Sequence, residues 1–179
     1  MVMKIGFVGQ MRSGKDTAAS YFCKKYFGKI MKFADPLYEI QAFAQKVTGF
    51  PEEKDRPLLQ WLGTEWGRKK DPDIWIKVFL QRLRRITDLS IYVTDARFAN
   101  EVELLKKKGF KIVLIWAKDD IRIARGATHE NHESEQFAKT YDGWDYKIEN
   151  SGTEKEFFIK LDYLEKEIKK KECLEVGVK

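Results

Sequence analysis

The sequence predicts an α/β fold, a five-stranded parallel sheet flanked by helices, on three observations. Apolar runs of strand length alternate along the chain with amphipathic stretches of helix length. The first such run leads through a loop bounded by glycines straight into a helix. Residues 90–116 read as a complete strand–helix–strand unit. A sheet of this kind binds ligands outside the C-terminal ends of its strands, so the chemistry is expected there.

In chain order, residues 4–9, with Ile5, Phe7 and Val8 before Gly9, suit a short buried strand. Residues 15–26 carry Ala18, Ala19, Phe22, Cys23 and Tyr26 at spacings of three and four, a helix for which Gly28 is the expected C-cap. Residues 29–34 form the next strand, and Pro36 stands in the first turn of a helix over 37–48 that Gly49 and Pro51 end. The stretch 57–70 is mixed. Asp73 reads as the N-cap of a long amphipathic helix with Ile76, Phe79, Leu80 and Leu83 inward and Arg82, Arg84 and Arg85 toward water. Trp61 and Trp75 are expected in the core. Strands at 90–94 and 111–116 flank a helix at 100–108 closed by Gly109. A charged stretch, 118–142, precedes a last strand at 146–149 and a C-terminal helix with Phe157, Leu161, Leu164 and Ile168 on one stripe.

The 179 residues suit one domain, 1–179, with room for a real core. With 43% hydrophobic and 35% charged residues the chain reads as globular rather than disordered. Its apolar stretches are short and interrupted by charge, so no membrane partner and a cytoplasmic location are expected. Cys23 and Cys173 have no CxxC partner, which argues against a zinc site or a disulfide framework. The net charge of +6 comes largely from dispersed lysines such as Lys106, Lys107 and Lys108; a polyanionic substrate explains it as well as a nucleic-acid surface does, and stable nucleic-acid binding is not expected.

Gly9-Gln10-Met11-Arg12-Ser13-Gly14-Lys15 fits G-x-x-x-x-G-K, the P-loop, whose backbone N–H groups surround phosphate oxygens while the lysine adds a compact positive charge. The helix beginning near Lys15 contributes unpaired N–H groups and the positive end of its dipole. Asp16 stands where the usual loop has a Ser or Thr for magnesium, and Thr17 comes one residue late. A carboxylate there binds Mg²⁺, directly or through water, or handles a proton; stabilisation of the helix N-terminus is the plain alternative.

The segment from Arg12 to Thr17 resembles the P-loop of the deoxynucleoside monophosphate kinases of bacteriophages and their prokaryotic relatives, in which Asp follows Lys. Four more segments agree in order: Phe33-Ala-Asp-Pro-Leu37; Leu62-Gly-Thr-Glu-Trp-Gly-Arg68 with Asp73-Ile-Trp75; Thr94-Asp-Ala-Arg97 with Asn100 and Glu101; and His132-Glu-Ser-Glu135. The resemblance implies a P-loop NTPase fold of the nucleoside monophosphate kinase-like kind, with ATP and Mg²⁺ on the donor side and a deoxynucleoside 5′-monophosphate as acceptor. It makes 35–88 the acceptor-binding helical region, 118–142 the lid, and Glu135 a substrate-binding candidate. Animal-type phosphomevalonate kinases share the G-K-D loop and the fold.

Asp95 and Arg97 follow a strand, at the edge where the P-loop opens; Asp95 could hold Mg²⁺ through water and Arg97 the acceptor phosphate, or the two could form an ion pair that ties a loop. Asp35 could contact the acceptor or cap a helix. Thr64 lies with Gly63 in a turn before Trp66, which can stack on a base, and Arg68, which can bind phosphate. Arg122 and Arg125, three apart, would share a face of a lid helix and stabilise the transferred group, or form a solvated face. Asn150 and Gly152 sit in a loop that could wrap adenine or simply turn, and Thr153 is placed to cap the last helix. His129 and His132 lack zinc-binding spacing. The expected catalytic set is Lys15, Asp16, Arg97, Arg122 and Arg125. Rival readings are a kinase for another small phosphorylated molecule, and an NTP-dependent switch or nucleic-acid-binding module; a homodimer is left open.

Overall fold

A computed structural model describes residues 2–128, 137–138 and 140–177, with side chains described as far as 174. Five strands, β1 (Lys4–Val8), β2 (Gly28–Met31), β3 (Ser90–Val93), β4 (Lys111–Trp116) and β5 (Tyr146–Glu149), form one sheet in the order β2-β3-β1-β4-β5. Every pairing is parallel, with Gly6 of β1 opposite both Val93 and Ile112. The α/β class and the strand count expected from the sequence are therefore observed.

Helices cover both faces, as a parallel sheet requires. On one face α1 (Lys15–Tyr26) and α7 (Glu154–Gly177) pack Ala18, Ala19, Phe22, Phe157, Leu161, Leu164 and Ile168 against Phe7, Tyr92, Val113 and Ile115. Phe22, Phe7 and Tyr92 form a triangle of stacked rings, the Phe22 centroid 5.9 Å from Phe7 and 5.8 Å from Tyr92. On the other face α4 (Ile74–Leu83) and α5 (Ala99–Lys107) bring Ile76, Phe79, Val102 and Leu105 onto Ile91, Val93 and Ile112. Each such side chain contributes about 1.5–3 kcal/mol on burial. Two buried layers thus fix the strand ends from which the loops emerge.

Between β2 and α4 lie α2 (Asp35–Thr48), α3 (Arg56–Gln60) and a π-helical segment, Trp61–Arg68. Asp55 caps α3 by accepting the Leu58 N–H at 2.9 Å. Thr153 and Glu156 cap α7 reciprocally, the Thr153 N–H donating to the Glu156 carboxylate at 2.7 Å. Among the described residues no helix is long and apolar enough to cross a membrane.

Several expectations are corrected. The C-cap of α1 is Phe27, left-handed at φ 46, and not Gly28, which already belongs to β2. Gly28 is small because of packing: a Cβ there would stand 2.5 Å from the Tyr92 ring and 2.8 Å from the Ser90 carbonyl oxygen. Strand β2 ends at Met31, because the next three N–H groups turn to carboxylates. Trp75 is buried, but Trp61 is 51% exposed and not part of the core. Arg84 and Arg85 face water, whereas Arg82 forks onto Glu39 at 2.7 and 2.6 Å.

Candidate phosphoryl-transfer site

Residues 9–14 connect β1 to α1, and their backbone is unusual: φ is 152 at Gly9, 61 at Arg12 and 108 at Gly14. Left-handed residues of this kind let a loop present N–H groups to an anion, although the Ser13 N–H is taken by the Gln10 carbonyl at 3.2 Å. Gly9 cannot be replaced freely, since a Cβ would meet the Ile115 carbonyl oxygen at 2.0 Å. Asn150, buried after β5, donates its amide to the Ser13 carbonyl at 2.9 Å and ties the loop to the far side of the sheet. Lys15 donates to the Gln10 carbonyl at 2.7 Å, which holds its ammonium over the loop.

A cleft of about 480 Å³ opens at the C-terminal edge of the sheet. Gly9, Met11, Arg12, Lys15 and Asp16, from the loop and the start of α1, line it together with Thr64, Arg68, Asp95 and Arg97. Nine of the nineteen sequence-predicted site residues thus share a single space. Ser13, Gly14 and Thr17 belong to the loop and α1 but do not line the cleft, and Ser13 is fully buried beneath it.

Asp16 shares one carboxylate oxygen between the Thr94 hydroxyl, at 2.8 Å, and the Lys32 ammonium, at 3.3 Å. Burial resists its ionisation, but the Thr94 hydrogen bond with Lys32 and Lys15 outweighs that and holds the carboxyl below its ordinary value. It is therefore an anion at neutral pH with much of its side chain still open to solvent. Asp95 behaves differently. Its two oxygens accept the N–H groups of Phe33 at 3.0 Å and Ala34 at 2.9 Å, and burial pushes its carboxyl up to about 6. Those bonds commit Asp95 to the main chain and leave Asp16 as the better cation ligand. Among the described residues no cluster of three or more His, Cys, Asp or Glu could hold a metal by itself. Mg²⁺ needs less than that, because it binds through one or two carboxylates together with phosphate oxygens and water. Asp16 beside the P-loop fits such a donor set.

Arg68 leaves the π-helical segment and pairs with Glu101 at 2.5 Å, its guanidinium carbon 4.0 Å from the Phe98 ring centroid. Burial raises the Glu101 carboxyl, against the Arg97 N–H and Arg68. Lys32, Lys54 and Arg56 line the same cleft. Sequence reading missed these three and Thr94. Thr94 had a signal, its place at the end of the strand 90–94 just before Asp95 and Arg97; Lys32 fell inside the strand expected over 29–34.

Four of the expected residues, Trp66, Asp35, Arg122 and Arg125, lie outside the cleft lining. Trp66 does not line the cleft; it is 40% exposed, with the Lys70 ammonium 4.9 Å from its ring. Asp35 also lies outside the cleft lining and accepts the Lys32 N–H at 2.9 Å, closing the turn after β2. Arg122 and Arg125, in and just after α6 (Asp119–Ala124), do not extend into the cleft. Arg122 is buried and donates to the Met11 carbonyl at 3.2 Å and to Asp119 at 2.8 Å; Arg125 donates to the Asn150 carbonyl at 2.8 Å and more weakly to that of Gly152. Asn150 and Gly152 are thus bound into the frame of the loop. Glu135, His129 and His132 lie outside the described residues.

No protein-family model matches the chain. It is 34% identical over 143 residues to the uncharacterized protein ORF77 of Ictalurid herpesvirus 1 (strain Auburn), covering 76% of this chain and 59% of that protein. It is 33% identical over 115 residues to ORF76 of the same virus, covering 62% and 46%. The chain therefore spans about half the length of these two relatives. Over nearly its full length it is similar to the "Putative deoxynucleotide monophosphate kinase" of Acanthamoeba polyphaga mimivirus, 28% identical over 186 residues, covering 88% of this chain and 93% of that one. Among solved structures, shikimate kinase from Bacteroides thetaiotaomicron superposes with a TM-score of 0.60 at 14% identity, covering 93% and 98% of the two chains. Shikimate kinase from Aquifex aeolicus gives 0.56 at 19%, covering 96% and 99%. The chain has the fold of the P-loop kinases.

Proposed function

We propose that this protein transfers the γ-phosphoryl group of ATP to a deoxynucleoside 5′-monophosphate, giving the diphosphate and ADP. The observation that carries the reading is a single cleft lined both by a P-loop with Lys15 and Asp16 and by Arg68 and Arg97. The loop suits a triphosphate and the two arginines a second phosphate beside it. Similarity to the mimivirus protein supports the nucleotide acceptor.

In this reading an oxygen of the acceptor phosphate forms a bond to the γ-phosphorus while the bond to the β–γ bridging oxygen breaks, so that ADP leaves. Loose phosphoryl transfer asks the protein for positioning and charge neutralisation rather than covalent chemistry. Main-chain N–H groups of the P-loop and the Lys15 ammonium bind and orient the donor phosphates. Arg97 and Arg68 bind the acceptor phosphate, Arg68 through a planar fork already held in place. Thr64 faces the acceptor. Asp16 would hold Mg²⁺, which when bound neutralises charge on the β- and γ-oxygens. Asp95 keeps the turn at Phe33 and Ala34 in register with the end of β3. Arg122 and Arg125 act indirectly, by fixing the carbonyls of Met11 and Asn150 that shape the donor side.

The test measures ADP release with ATP and Mg²⁺ against each deoxynucleoside and ribonucleoside monophosphate, with the diphosphate identified by chromatography and Lys15→Ala as control. A diphosphate that disappears in the control is expected. Turnover of phosphomevalonate with none of any nucleotide would overturn the acceptor assignment, and no phosphorylated product with either class would overturn the kinase reading.

A further inference from the structure

We infer that Glu101 is a positioning residue that holds Arg68 in the geometry by which it binds the acceptor phosphate. The inference rests on the proposed function and adds a residue that contacts no substrate.

Glu101 is 1% exposed, in the first turn of α5, and its carboxylate works in two directions. One oxygen accepts the N–H groups of Arg97 at 2.7 Å and Phe98 at 3.2 Å, fixing the main chain of the segment that carries Arg97 into the cleft. The other takes the Arg68 guanidinium at 2.5 Å. Arg68 comes from a different element, 33 residues earlier, and Phe98 stacks against its plane. A carboxylate, a ring and the C-terminal end of the π-helical segment therefore hold one arginine that lines the cleft.

A buried ion pair is weak evidence of stability, because removing two charges from water offsets their attraction. Its value here is in geometry. A free arginine carries among the largest side-chain rotational entropies, which binding must otherwise overcome. Held by Glu101 and Phe98, Arg68 has given up that freedom before the acceptor arrives. The same carboxylate sets the backbone of Arg97, so both ends of the phosphate grip depend on one side chain.

The plainer role, a cap for α5, is separable. In Glu101→Gln the side-chain carbonyl can still accept the Arg97 N–H, but the amide now presents N–H donors to a guanidinium that has only donors. The cap is kept and the restraint on Arg68 is lost.

The experiment is a cycle of Glu101→Gln, Arg68→Gln and the double variant, with Glu101→Asp as a second probe and melting curves to establish folding. Two readouts are taken: KM values for ATP and for the best monophosphate, and the affinity for inorganic phosphate by ³¹P NMR titration. Glu101→Gln is expected to raise the acceptor KM and weaken phosphate binding about tenfold, leave the ATP KM within about twofold, and add nothing in the Arg68→Gln background. Glu101→Asp, which keeps the charge on a shorter arm, should fall between. Additive effects in the cycle, an equal rise in the ATP KM, or unchanged phosphate affinity in a folded variant would each overturn the inference, as would wild-type protein that binds no inorganic phosphate. Failure of the proposed function is distinct: the wild type would phosphorylate no nucleotide while the phosphate titration still decides the role of Glu101.

Discussion

Asp95 should give the protein an unusual pH dependence, because burial pushes its carboxyl to about 6 from an ordinary 3.8. In the unfolded chain the group ionises near the ordinary value; in the folded protein it keeps its proton to higher pH. Folded protein thus binds more protons between these limits, so the stability due to Asp95 is complete below about pH 4 and falls as pH rises to about 6. A rise of about two pH units, at about 1.4 kcal/mol per unit, amounts to at most about 3 kcal/mol, since the open cleft lets water soften the penalty. The ionised carboxylate keeps its two bonds to the N–H groups of Phe33 and Ala34, so the loss should not unfold the turn. Asp95→Asn removes the titration while retaining one accepting oxygen. The assay is urea denaturation followed by tryptophan fluorescence at several values between pH 4 and 7, for wild type and Asp95→Asn. Subtraction cancels the other titrating groups, and the wild-type advantage should shrink by about 2–3 kcal/mol across the window. A difference that is flat with pH, or that grows as pH rises, would refute the argument.

Three further outcomes follow from the geometry. Gly9→Ala should destabilise the fold by at least about 3 kcal/mol, because its Cβ would meet the Ile115 carbonyl oxygen at 2.0 Å at a left-handed φ; a melting temperature within a few degrees of wild type would contradict this. Arg125→Ala should raise the ATP KM severalfold with little change in kcat, since Arg125 supports the carbonyls of Asn150 and Gly152 rather than the transferred group; a hundredfold loss of kcat at unchanged KM would restore the role of lid arginine. Glu165, between α1 and α7, is held at about 2: burial opposes ionisation, but Lys169, Lys25 and the Tyr26 hydroxyl outweigh it. With a depressed folded value its contribution is present above about 4.5 and lost as pH falls toward 2, so Glu165→Gln should flatten acid denaturation there, as far-UV circular dichroism would show.

What could be read from the sequence was local. The P-loop is seven consecutive residues whose spacing carries its own chemistry, and the alternation of strands with helices needs only short windows. The π-helical segment Trp61–Arg68 was illegible for a physical reason. Hydrogen bonds from i to i+5, as from the Lys69 N–H to the Thr64 carbonyl, change the angular step per residue, so neither a period of 2 nor one of 3.6 marks the segment and the stretch reads only as mixed. Thr64 and Arg68 consequently line the cleft, while Trp61 and Trp66 turn outward. Gly28 misled for another reason: a glycine after a helix signals a C-cap, yet this one makes room for Tyr92, a neighbour across the sheet. The pairs that set the electrostatics, Asp16 with Thr94 and Arg68 with Glu101, lie 78 and 33 residues apart, beyond any local pattern.

The three carboxylates around the cleft bear on how a site for anions tolerates acids. An unpaired carboxylate beside a phosphate would repel it, but none of the three is unpaired. Asp16 has Thr94 and Lys32, Asp95 has two main-chain N–H groups, and Glu101 has Arg68 with two more. Their partners differ in kind, and so do the consequences. Asp16 is held by a mobile lysine and a hydroxyl and keeps most of its surface, which suits a group that must exchange partners for a cation. Asp95 and Glu101 are held by backbone, which cannot move away without unravelling a turn, and this suits groups that fix geometry. The arginines divide in the same way: Arg122 and Arg125 grip carbonyls of the donor frame, while Arg68 and Arg97 reach the cleft. On the proposed function, the charge that meets the phosphates therefore falls to groups lining the cleft, Lys15, Asp16, Arg68 and Arg97 among them, while Asp95, Glu101, Arg122 and Arg125 hold the backbone and side chains that present them.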